Sequence, residues 1–259
     1  MKLTKNNYFT IKNQYISNSK ISDYLKDPEY FYKKHVTGEI KFEMTPSMII
    51  GKAVDIYLTN SPKKFHDTYT YACLKKDDPE MFAENKDTTK EILTKSQYDK
   101  VINICESVTR TSAYKVFKKF KKQEILQKDM KLGIFKGLCG IPDGFQITKD
   151  KCTIVDLKTS STIQPNKYHY HCLEFGYYRQ LALYADLIQN KYPEVKYFKY
   201  YHLVVENTGD INRVATFEFD PLLIEDERQI LYKIIKEIAD TKVFKFHDVS
   251  FKNAEKIWK

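Results

Sequence analysis

The sequence predicts an α/β (α+β) fold, with a mixed central sheet flanked by helices and a helical N-terminal elaboration. Three observations predict it. Apolar residues recur at helical spacing through the first part of the chain. Short β-rich runs punctuated by Gly, Pro and Asp take over near Lys131, and a long helical stretch then separates them from two further strands. No Pro/Gly/Ser-rich linker and no repeat divides the 259 residues. The chain therefore reads as one domain, mainly helical over 1–125, with a sheet-and-helix core over 126–259.

Taken in order, Ser19-Lys20-Ile21-Ser22-Asp23-Tyr24-Leu25 reads as a short capped helix that stops before Pro28. Pro46 to Leu58 sets Ile50, Val54 and Leu58 on one helical stripe, and Asp55 within it need not share that face. Residues 61–87 are polar and charged, and Asp77-Asp78-Pro79 and Asn85-Lys86-Asp87 read as breakers, which predicts a long loop. Helical pattern resumes near Lys95 through Tyr98, Val101, Ile102 and Ile104, and again from Ser112 to Lys122. Leu132–Cys139, Phe145–Ile147 and Cys152–Lys158 read as strands of a meander. A helix of about five turns runs from Cys172 toward Asn190. Strands at 196–205 and 213–219 flank the turn Asn207-Thr208-Gly209-Asp210, and an amphipathic helix runs from Leu222 to about Ala239.

Composition excludes several classes. The start, Met1 to Gln14, lacks the apolar core of a secretion signal, and no apolar run has the length of a membrane span. The five cysteines (Cys73, Cys105, Cys139, Cys152 and Cys172) are dispersed and never form a C-x-x-C pair. That pattern predicts a reducing, cytoplasmic setting and speaks against a disulfide framework or a zinc ribbon. With only eight glycines there is neither a G-x-G-x-x-G nor a G-x-x-x-x-G-K-[ST], so no nucleotide cofactor is expected. The 43 Lys+Arg against 34 Asp+Glu give a formal net charge of +9, a balance that suits a polyanionic partner.

The chemistry-bearing segment is Ile141-Pro142-Asp143-Gly144 followed by Asp156-Leu157-Lys158. On a strand Asp156 and Lys158 project from one face and Leu157 from the other. Asp143, at the end of the preceding strand, reaches the same point if the two strands pair. Two converging carboxylates need a counter-charge, and a hard divalent cation such as Mg²⁺ prefers oxygen ligands, to which the Leu157 carbonyl can add one. A lysine beside such a cation orients or deprotonates a water and stabilises charge growing on a phosphate. Taken singly, Pro-Asp-Gly is an ordinary turn and Asp-x-Lys an ordinary solvated pair.

Together these residues, P-D…D-x-K, resemble the PD-(D/E)XK (restriction-endonuclease-like) nuclease signature. The following Gly176-Tyr177-Tyr178-Arg179-Gln180-Leu181-Ala182-Leu183-Tyr184 is similar to the Q-x-x-x-Y motif of the RecB-like branch. Ile50-Gly51-Lys52-Ala53-Val54-Asp55 resembles that branch's first motif, in which a small-residue helix ends in a metal-binding histidine. Ser19-Lys20-Ile21-Ser22 with Asp27-Pro28-Glu29-Tyr30-Phe31, and Leu93 to Tyr98 leading into Glu124, resemble the RecE-type (exonuclease VIII-like) proteins of phages and prophages. The matches span roughly residues 17–185 in family order.

The resemblance implies a metal-dependent deoxyribonuclease in which Asp143, Asp156, Leu157 and Asp55 hold Mg²⁺ or Mn²⁺. Lys158 would position or activate the attacking water, and Gln180 would hold the phosphate or Lys158. Asp55 stands where the family has histidine, and a carboxylate is also a competent ligand for these ions. Tyr184 is expected beneath the site or against the nucleic acid, and Glu124 as a supporting acid or a third ligand. Lys118, Lys119, Lys121 and Lys122, interleaved with Phe117 and Phe120, are expected to form a basic helical stripe tracking a phosphate backbone. Iron–sulfur relatives of this fold carry cysteines near both ends; here none follows Cys172, and no cluster is expected.

The RecE-like features imply 5′→3′ digestion of linear double-stranded DNA from its ends, in phage-type recombination in a phage-infected or prophage-bearing bacterial cell. A single-strand annealing protein as companion and a homo-oligomer stay open as partners. Two other functional readings also stay open. One is a single-strand or structure- or site-specific endonuclease. The other is a degenerate nuclease fold that binds DNA or protein without cutting.

Overall fold

The computed structural model describes residues 3–4, 7–209 and 211–241; Asp210, in the expected turn, lies outside them. The N-terminal part holds α1 (Tyr8–Ile11), β1 (Tyr15–Ile16), α2 (Asn18–Lys26), α3 (Pro28–His35) and α4 (Pro46–Asp55). It continues with α5 (Pro62–Thr68), β2 (Tyr69–Tyr71), α6 (Pro79–Glu84), β3 (Glu91–Leu93), α7 (Lys95–Thr109) and α8 (Ser112–Phe117). The core is built from β4 (Lys121–Lys122), β5 (Leu126–Leu132), β6 (Phe135–Gly140), β7 (Gly144–Thr148) and β8 (Lys151–Ser160). The chain then forms α9 (Pro165–Glu174), α10 (Tyr177–Lys191), β9 (Tyr197–Glu206), β10 (Val214–Phe219) and α11 (Pro221–Asp240).

The main sheet runs β10-β9-β8-β7-β4. Its one parallel pair is β8 with β9, joined across α9 and α10; its other pairs are antiparallel. A second sheet runs β1-β6-β5. This is the mixed α/β architecture expected, with helices on both faces. Strand alternation divides the apolar residues between two cores. Ile154, Tyr200 and Val204 join α10, α11 and the second sheet. Val155, Leu203 and Val205 join α4, α7 and α8. Among the described residues no helix is long and apolar enough to cross a membrane.

Three local expectations are corrected. Residues 61–87 are not one loop. Ser61 accepts from the Lys64 N–H with Pro62 following it, and Asp78 accepts from the Met81 N–H with Pro79 following it. Polar residues that read as breakers are thus helix caps, and Phe65 and Tyr69 between them are buried. The helix from Ser112 stops at Phe117, because Lys121 and Lys122 pair with Phe145 and Gly144 as a sheet strand. The helix expected from Cys172 is two helices. Gly176 breaks it with φ 64° and ψ 39°, a left-handed conformation that glycine adopts without steric cost.

Candidate active site

Asp143 and Asp156 occupy the next positions beyond Gly144 and Val155, the last pair of the β7–β8 hairpin. Antiparallel register therefore sets the two carboxylates opposite one another. Asp143 Oδ2 accepts the Leu157 N–H at 2.7 Å. Asp156, 1% exposed, forms an ion pair with Lys158. Lys158 Nζ donates to Gln180 Oε1 at 2.9 Å, and Gln180 Nε2 donates to the Tyr184 hydroxyl at 2.8 Å. The Lys158 ammonium lies 4.4 Å from the centroid of the Tyr177 ring. As strand alternation requires, Asp156 and Lys158 face α10 while Leu157 packs with the N-terminal helices.

Asp55 arrives from that opposite layer as the last residue of α4, and the chain continues beyond it as a π-turn, Ile56–Asn60. Pro46, at the helix start, and Thr45, which accepts from the Met48 N–H, set where this helix begins. Asp55 Oδ2 accepts from Gln123 Nε2 at 2.7 Å. Its Oδ1 is buried without a hydrogen-bond partner among the described residues.

The three carboxylates feel one another. Burial pushes Asp55 up to about 6 against the Gln123 hydrogen bond, and the Asp156 charge adds to the rise. Burial also raises Asp143 well above the usual carboxylate range, with the charges of Asp156 and Asp55 reinforcing it. For Lys158 burial favours the neutral amine, but the charges of Asp156 and Asp143 prevail and hold its ammonium above the usual range. One lysine does not neutralise three acids, so negative charge is left over at a point shielded from water.

The donor set matches a hard divalent cation in kind: carboxylate oxygens, one of them buried without a partner, beside a lysine. Among the described residues no three His, Cys, Asp or Glu side chains stand at metal-ligating distance. Each carboxylate is turned instead to a protein donor: Gln123 for Asp55, Leu157 N–H for Asp143, and Lys158 for Asp156. Asp55, Asp143 and Asp156 are the residues that would hold the cation.

The other expected residues lie elsewhere. Tyr184 is 6% exposed and, from beneath, accepts a hydrogen bond from the Gln180 amide. Glu124 belongs to a separate cluster with Lys121, Lys191 and Tyr192. Burial works against its charge, but hydrogen bonds from Lys191, Lys121 and Tyr192 hold its carboxyl below the usual range. Lys121 is engaged by Glu124 and Tyr192, and Lys122 donates to the Lys118 carbonyl at 2.6 Å. Of the expected helical stripe only Lys118 and Lys119 are exposed and in no ion pair among the described residues, and they follow α8 as a turn.

Three residues at the site are not evident from the sequence. Gln123 reaches Asp55 because its own backbone takes a φ of 49°, which no local pattern announces. Tyr177 lies under Lys158, and its place beside Gly176 at the head of the Q-x-x-x-Y helix is the one available signal. His202 is the register partner of Asp156 on β9. It is fully buried, with Nδ1 2.7 Å from the Tyr168 hydroxyl. Burial, then the Lys158 charge, keeps its imidazole well below the usual histidine range.

Comparison with known proteins bears on the family and the fold. No curated protein matches the sequence. The crystal structure of a protein from Eubacterium rectale, provisionally named an exonuclease, aligns with a TM-score of 0.66 at 18% identity. The alignment covers 94% of this chain and 88% of that one, a likeness of fold. The crystal structure of SSO0001 aligns with a TM-score of 0.30 at 16% identity, over 74% of this chain and 87% of that one, and carries no argument. Residues 17–254 match the family described as a PDDEXK-like domain of unknown function (DUF3799). The match runs over most of the chain, and the P-D…D-x-K residues meet across the β7–β8 hairpin. This chain belongs to that PDDEXK-like family and has the PD-(D/E)XK nuclease fold.

Proposed function

We propose that the chain, as one nuclease domain, is a metal-dependent deoxyribonuclease that hydrolyses the phosphodiester bonds of linear double-stranded DNA from its ends with 5′→3′ polarity. One observation carries the nuclease reading: the charges of Asp55, Asp143 and Asp156 act on one another beside a half-buried Lys158 that Gln180 holds in place. The excess negative charge costs stability unless a cation joins it, which supports a site kept for chemistry. The end-directed polarity, the phage-type recombination setting and an annealing partner rest on the RecE-like motif order.

Asp55, Asp143 and Asp156 would hold Mg²⁺ or Mn²⁺, which when bound supplies charge stabilisation to the scissile phosphate. Lys158, cationic and shielded from water, is placed to orient the attacking water and to offset charge developing on the phosphate oxygens. Gln180 accepts from Lys158 and donates to Tyr184, so its amide is fixed in one orientation and aims the ammonium. Asp156 keeps Lys158 charged, and Asp143 is anchored by the Leu157 N–H.

The test is an assay on linear duplex, covalently closed circular and single-stranded DNA with Mg²⁺, Mn²⁺ or EDTA, beside Lys158→Ala. Metal-dependent loss of linear duplex with circles spared, and a loss of about 100- to 10,000-fold in the variant, is expected. Cutting of circles would overturn the end-directed reading and leave an endonuclease. Binding of DNA with no cleavage under any metal would overturn the enzyme.

A further inference from the structure

A cavity of about 180 Å³ adjoins the carboxylates and shares Asp55 and Lys158 with them. Most of its wall is apolar, contributed by Val54, Leu58, Val108, Leu157, Leu203 and Val205. Tyr177 and Thr159 complete the polar side. A volume of this order, lined by branched aliphatic side chains, accepts a single planar six-membered ring. Its polar edge is the ammonium and carboxylate expected to meet a phosphate, so an occupant sits within one nucleotide of the bond to be cut.

Gly51 supports the same conclusion. It lies inside α4, where glycine is less favourable than alanine by about 1 kcal/mol. Its backbone needs no left-handed conformation. Packing does not demand it either: an added Cβ would meet only Thr159 Oγ1, at an ordinary 3.6 Å. Gly51 and Thr159 both line the cavity. What the missing side chain preserves is open space.

Resting on the nuclease reading, we infer that this cavity receives one unpaired nucleobase of the strand being cut. The aliphatic wall offers surface rather than a hydrogen-bond code, so a ring is taken there for its size and planarity and not for its exocyclic groups. A base held there is out of its stack, so a duplex end must open by at least one pair before the phosphate reaches Lys158.

The experiment uses wild type and Gly51→Leu on short duplex and single-stranded oligonucleotides with Mg²⁺. Nucleotides near each end are replaced one at a time by the tetrahydrofuran abasic analogue. At one position beside the scissile bond, wild type is expected to lose about tenfold or more in kcat/KM when the base is absent. Gly51→Leu is expected to lose a similar factor on intact DNA and to be indifferent to removal of that base. If wild type cuts every base-free substrate as fast as intact DNA, the inference is overturned while the nuclease stands. If wild type cuts no intact DNA, both fall. The wild-type substrate series decides the matter even if Gly51→Leu fails to fold.

Discussion

Gln123 and Asp55, 68 positions apart, are joined by a 2.7 Å hydrogen bond from the Gln123 amide nitrogen to Asp55 Oδ2. The bond ties the end of α4 to the strand layer and works against the burial that raises the Asp55 pKa. Gln123→Leu is expected to raise the Asp55 carboxyl above about 6 and to weaken activation by Mg²⁺ by roughly tenfold in the metal concentration required. Metal titration of the nuclease rate measures it, and an unchanged midpoint would show that Asp55 works without this donor.

Stability of the metal-free protein should carry the mark of the crowded carboxylates. Asp55 is raised from 3.8 to about 6 on folding, so the folded state keeps this proton longer than the unfolded chain. Its contribution is complete below about 3.8 and is lost as pH rises through about 6. Asp143 shifts in the same direction. Thermal melts in EDTA should therefore show Asp143→Asn gaining on wild type as pH rises from about 4 to 7. Mg²⁺ should stabilise wild type at the upper end of that range and leave the variant nearly unmoved. A constant difference between the two proteins across pH would contradict the coupling.

The face of Tyr177 supports the Lys158 ammonium at 4.4 Å. A cation–π contact is worth about 0.5–2 kcal/mol, rising as it is desolvated, and both partners here are half-buried. Tyr177→Leu is expected to lower kcat about tenfold with little change in KM, while Tyr177→Phe, which keeps the ring, retains most of the rate. Steady-state kinetics on linear duplex separate the two. Equal losses in both variants would move the role from the ring to the hydroxyl.

Gly144 separates Asp143 from the body of β7, and a Cβ there would meet Phe117 Cε2 at 2.5 Å. Phe117 is buried between α8 and the sheet. Gly144→Ala should cost about 1–3 kcal/mol by urea denaturation and reduce activity by displacing Asp143.

Lys118 and Lys119 remain the members of the basic segment that are exposed and in no ion pair among the described residues, since Lys121 is paired with Glu124. If they touch phosphate, replacing each with Ala reduces the slope of log affinity against log salt by about 0.9 per contact. Lys122→Ala should change that slope less, because its ammonium already donates to the Lys118 carbonyl. Filter binding over a salt series in Ca²⁺ tests both.

What the sequence disclosed and what it hid divide along physical lines. Strand alternation is a local rule and sets Asp156 and Lys158 on one face, whereas Gln180 is expected beside them only from the RecB-like motif; the structure joins Lys158 to both Asp156 and Gln180. Asp78 reads as a breaker and Ser61 as the start of a polar loop because residues of these types cap helices as well as end them, and only the burial of Phe65 and Tyr69 marks the structured segment between them. Lys121 and Lys122 went astray because a two-residue pairing with β7 outweighed their helical pattern. Gln123 and His202 come to the site through a turned backbone and a strand register, and neither leaves a periodic trace.

The β7–β8 hairpin closes between Thr148 and Lys151, which pair directly across Lys149 and Asp150. Chain length is thus counted from this turn to Asp143 on one arm and to Asp156 on the other. Adding or removing a single residue in either arm would turn one carboxylate to the opposite side of the sheet. Surface connections tolerate insertion cheaply; this short stretch does not. Its length is as much a part of the active site as the side chains it carries.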